Sequence, residues 1–86
     1  MNAEQIEQVL RAALEPDSIA VRDDSALHAG HAGAREGGHY AVVLTSARFV
    51  GLTRVARHRL VYHALGPLAT QGIHALAIEA LAPNER

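Results

Sequence analysis

The succession of apolar periods along this sequence predicts a small α+β domain. Its elements run α-β-β-α-β, with a three-stranded mixed sheet and helices on one face. Three observations carry the prediction. Apolar residues recur at a helical period from Ile6 to Leu14 and from Leu60 to Leu65, but alternate from Tyr40 to Thr45. Pro16 and Gly66-Pro67 close the two helical stretches. The second helix lies between two strands, so it serves as a right-handed crossover and makes the strands it joins parallel, whereas the first two strands can pair antiparallel.

Asn2 is a good N-cap with Gln5 three residues on, the spacing of a capping box. Ile6, Val9, Leu10, Ala13 and Leu14 then make one stripe of an amphipathic helix. Glu15-Pro16 ends it, because a residue before proline is pushed out of helical dihedrals. Ile19 and Val21 alternate with Ala20 and Arg22 as a short first strand. Residues 24–38 have no periodicity, are rich in glycine, alanine and histidine, and are long for a connection. They contain the repeat His28-Ala29-Gly30-His31-Ala32-Gly33. Residues 39–45 form the clearest strand, apolar on both faces and hence central.

Thr53 caps the next helix, over residues 54–65. At 100° per residue, Arg57 shares the stripe of Leu60, Val61, Ala64 and Leu65, so its guanidinium is expected to be an anchor, partly buried. Arg59, Tyr62 and His63 fall on the outer side. The last strand spans residues 73–81, where alternation puts His74 on the face of Leu76 and Ile78. Pro83 marks a loose tail. The expected core is Ile6, Leu10, Leu14, Val42, Leu44, Leu60, Val61, Leu65, Leu76 and Ile78.

Eighty-six residues make a single domain that buries only about 60–65% of its unfolded surface, so stability should be modest. With no cysteine there is no disulfide, no thiol nucleophile and no thiolate metal site of the chain's own. Any soft-metal chemistry must then use the six histidines or borrow sulfur from a partner. The amino terminus lacks the flank and apolar run of a signal peptide, and no apolar stretch reaches membrane-spanning length. The expectation is a cytoplasmic protein with no membrane partner. No phosphate loop, paired carboxylate or Ser–His–Asp arrangement is legible, so no enzyme is expected. Charge is divided: residues 1–36 hold seven of the nine acids, while Arg48, Arg54, Arg57 and Arg59 lie in the second half.

The motifs Asp24-Ser25, His28 to Gly33, Gly38-His39-Tyr40, Phe49-Val50-Gly51, Arg57-His58-Arg59-Leu60-Val61-Tyr62 and Ile73-His74-Ala75-Leu76 resemble the BolA family in order and spacing, over nearly the whole chain. The resemblance implies a fold like the class II KH domain. It further implies an adaptor, monomeric when free, that binds a monothiol glutaredoxin and shares a glutathione-ligated [2Fe–2S] cluster in iron–sulfur and iron homeostasis. The cluster belongs only to that complex. By position, the resemblance makes His74 a cluster ligand and His39 the second, with His31 and His28 as alternates in the adjoining loop.

Some family members are described as DNA-binding transcriptional regulators. Arg48, Arg54, Arg57, His58 and Arg59, on and before a helix-turn-helix-like segment, are the candidates for that alternative, which would give weak, salt-sensitive DNA binding. The Gly30-His31-Ala32-Gly33 match to the KH GxxG loop is set aside, since that loop joins helices and this one joins strands.

Overall fold

The computed structural model describes residues 1–25 and 38–85. Helix α1 spans Ala3–Leu14, strand β1 Ser18–Asp23, strand β2 Gly38–Thr45, helix α2 Arg54–Leu65 and strand β3 Ile73–Leu81. Short 3₁₀ turns occupy Ala47–Phe49, Leu68–Gln71 and Pro83–Glu85. Both predicted caps form. The Asn2 side chain accepts from the Gln5 amide at 2.8 Å while Gln5 Oε1 accepts from the Asn2 amide at 2.9 Å, and Thr53 Oγ1 accepts from the Ala56 amide at 3.1 Å. Helix α2 ends because Gly66 takes a positive φ of 78°, open to glycine without steric cost, and Pro67 follows.

The sheet runs β1-β2-β3, with β1 antiparallel and β3 parallel to β2. The α-β-β-α-β order and mixed sheet are those expected, and both are compatible with a KH-like arrangement. Tyr40, Val42 and Leu44 of β2 are buried beneath the helices with Ile6, Leu10, Leu14, Val61 and Leu65. On the other face of β2 Val43 is 40% exposed, and Ala20 opposite it and Ala75 and Ala77 of β3 are exposed, while Thr45 is buried. Ser46 ties the layers together, its hydroxyl donating to the carbonyl of Leu14 at 2.7 Å and accepting from the Arg48 amide at 3.1 Å.

Three expectations change. Phe49, Tyr40, Ile73 and Ala82 belong to the core, whereas Leu60, Leu76 and Ile78 only pack against it half-buried. Phe49 lies in no periodic element, so only its turn reveals that it points inward. His74 does not share the inner face of Leu76 and Ile78. Gly38 pairs with Ile73 and His39 with Ala75, so β3 carries one extra residue, His74, between two ladder pairs. Such a bulge restarts the alternation; Ile73 turns into the core and His74 is left exposed. Nor is the tail loose. The turn Pro83–Glu85 returns Glu85 to Arg57. His28, His31 and the rest of residues 26–37 lie outside the described residues.

Candidate metal centre

Because β2 and β3 are parallel, their first residues share one end of the sheet. There the rings of His39 and His74 stand with centroids 5.0 Å apart and planes tilted by 48°. His39 is half-buried and its Nε2 is shielded from solvent, while His74 is exposed. Register alone would not have brought them together, since His39 pairs with Ala75; the bulge does. Among the described residues no third histidine or carboxylate joins them in a cluster.

The backbone beneath this pair is held on several sides. The His39 amide donates to Ser25 Oγ at 3.0 Å and its carbonyl accepts from the Asp24 amide at 2.7 Å. The Gly38 amide donates to the Gly72 carbonyl at 2.9 Å, joining the heads of β2 and β3. The ring of Tyr40 lies across Gly38 so closely that a Cβ there would come within 2.4 Å of it. Tyr40 donates to the carbonyl of Met1 at 3.1 Å, and the Met1 ammonium to the carbonyl of Gln71. Burial, and after it the charge of Asp23, raise the pKa of the Tyr40 hydroxyl, which keeps it a donor. Asp23 itself is held below the usual carboxylate range by hydrogen bonds from the Ser25 hydroxyl and amide.

The arginine-bearing segment is less uniform than its sequence suggests. Arg48 pairs with Glu15 beside a shallow groove between α1 and α2. Arg54 and Arg59 are exposed. Arg57 is the anchor expected: its side chain is only 12% exposed, with Nε donating to Leu52 O at 2.9 Å and Nη1 to Ala80 O at 3.1 Å. Its outer edge grips Glu85 at 2.5 and 2.8 Å. The Arg57 hydrogen bond, then the Ala82 amide, lower the Glu85 carboxyl to about 2. Arg54, Arg57 and His58 thus share one groove of about 490 Å³ with Glu79 and Glu85 at the far end of β3, while Arg48 and Arg59 stand apart from it. Nothing local in the sequence beyond a carboxylate after Pro83 marks Glu85, because its partner is 28 residues away.

Fold and site define a small α+β module that gathers two imidazoles at one end of a mixed sheet. The chain belongs to the BolA family: residues 10–85 match that family, described as BolA-like protein. It is 39% identical over 85 residues to the DNA-binding transcriptional regulator BolA of Escherichia coli, covering 99% of this chain and 79% of that one. It is also 39% identical over 87 residues to Protein BOLA1, chloroplastic, of Arabidopsis thaliana, covering 96% of this chain and 54% of that one. The chain therefore spans about half the length of this plant relative, and of BolA-like protein 1 of Mus musculus. The structure of BolA1 from Arabidopsis thaliana superposes with a TM-score of 0.85 at 38% identity, covering 100% of this chain and 96% of that one. Among the described residues no helix is long and apolar enough to cross a membrane.

Proposed function

We propose that this protein is an adaptor that binds a monothiol glutaredoxin and shares with it a glutathione-ligated [2Fe–2S] cluster. The observation that carries the reading is the His39–His74 pair in a chain without cysteine. The donor set fits half of such a site. With centroids 5.0 Å apart, the two rings stand close enough for both to serve one metal. Two histidines on one iron is also a known ligation for [2Fe–2S] centres, and it raises their potential. The remaining thiolates would come from the glutaredoxin and its glutathione. When bound, the cluster supplies one-electron chemistry and transferable iron. The chain's own part would be to hold two imidazole nitrogens at one edge, braced by Gly38, Tyr40 and Ser25.

Visible circular dichroism tests the reading. Added to a cluster-loaded monothiol glutaredoxin, the protein should form a one-to-one complex with an altered spectrum. His74→Ala should abolish the change, and His39→Ala should weaken it or pass ligation to His31 or His28. A wild-type spectrum from His74→Ala would refute the site.

A second reading, weak DNA binding, is favoured by the name of the Escherichia coli relative and by the exposed Arg54 and Arg59. Arg57 is engaged internally and contributes little to it. With two or three phosphate contacts the salt slope should be only about −2 to −3. Arg59→Ala should weaken binding and His74→Ala leave it unchanged. A sequence-specific complex that survives physiological salt would put this reading first.

A further inference from the structure

We propose that the groove between the start of α2 and the end of β3 docks an acidic, extended peptide segment of a partner protein, and that Glu85 is its intramolecular competitor. This is independent of the histidine pair, which lies at the opposite end of the sheet.

Arg57 is fixed by the carbonyls of Leu52 and Ala80, two bonds that do not involve Glu85. Its fork therefore stays aimed at the groove whether or not Glu85 is present. One carboxylate now fills it bidentately, and Oε1 of that carboxylate also accepts the Ala82 amide at 3.0 Å. Two guanidinium nitrogens and one backbone amide make a preset carboxylate receptor, since a planar fork matches a carboxylate in both geometry and charge.

The present occupant is a surface carboxylate, 38% exposed, held by Arg57 and the Ala82 amide. It arrives on a three-residue turn with no buried residue, closed by one backbone bond from Glu85 to Ala82. An incoming carboxylate can exchange with it without disturbing the core.

The rest of the groove favours a peptide over a nucleic acid. Leu52, Ile78 and Leu81 give it apolar walls, with Arg54 and His58 on the rim. Among the described residues β3 is an edge strand, paired only with β2, so an extended segment can lie along it by strand addition. Glu79 also lines the groove. It repels a continuous run of phosphates but tolerates a peptide with a single carboxylate placed at Arg57.

The test uses the full chain and the blocked peptide acetyl-Thr-Val-Thr-Glu-Thr-Val-Thr-amide, with its glutamine counterpart as control. Millimolar peptide should shift the Arg57 Nε–H and Ala82 amide resonances of the wild-type protein, and the glutamine peptide should not. Glu85→Gln, which keeps the shape and removes the competing charge, should bind the acidic peptide about tenfold more tightly. Adding Arg57→Lys to Glu85→Gln should cancel that gain. The proposal is overturned if both peptides act alike, or if wild-type Arg57 and Ala82 stay unmoved at millimolar peptide, a result that needs no variant to fold. It is equally overturned if mixed-sequence duplex DNA gains more from Glu85→Gln than the peptide does, which would assign the groove to phosphate.

Discussion

At the heads of β2 and β3 two imidazoles meet because the backbone is irregular; at the far end of β3 a cation and an anion meet because their side chains are long. The first end needs an extra residue in β3 to place His74 beside His39, and it leaves His74 exposed. The second needs no irregularity. Arg57 reaches a carbonyl 23 residues away and a carboxylate 28 residues away from the inner stripe of a regular helix. The difference teaches where each end is vulnerable. Backbone changes should break the histidine end, and charge changes the arginine end.

Four substitutions break or sharpen that contrast. The largest effect is expected at Phe49, which is fully buried in the core that both ends rest on. Phe49→Ala should cost about 3–5 kcal/mol in chemical denaturation and disturb both ends together. Survival of either end with full stability would separate them from the core. Next comes Gly38→Ala, whose Cβ would collide with the Tyr40 ring. It should cost about 1–3 kcal/mol as an overpacking change and shift the His39 and His74 ring resonances. The Arg57 Nε–H resonance should not move; if it does, the two ends are coupled.

The third is a pH effect. The Glu85 carboxyl is held at about 2 against its ordinary 4.5, first by Arg57. Folding therefore favours the ionised form, and this contribution is full above about pH 4.5 and fades as pH falls toward 2. Glu85→Gln should flatten that part of the stability–pH curve, whereas His74→Ala should retain it. An unchanged acid limb in Glu85→Gln would mean that the carboxylate is not held in solution. The smallest effect on stability is expected from His74→Ala, within about 0.5 kcal/mol because the side chain is exposed. A loss well beyond that would make His74 a structural residue.

What the sequence determined by itself is local. The capping box at Asn2, the Thr53 cap, the breaks at Pro16 and Gly66, and the limits of α2 and β3 all come from signals within four residues of their effect. The inward stripe that includes Arg57 is likewise a matter of helical spacing, so its anchoring role was legible before its acceptors were known. The family motifs, too, are read along the chain. Tertiary structure decided what depends on contact between distant segments. Alternation alone put His74 on the wrong face, because a bulge exists only in the pairing of two strands. Phe49 has no period to declare it, and its place in the core shows only once the turn after β2 is folded. Glu85 looked like tail until Arg57, fixed from behind by Leu52 and Ala80, supplied a fork for it. Periodicity states which way a residue points within its own element. It carries nothing about which residue of another element stands opposite, and both chemical ends of this protein are made of such pairs.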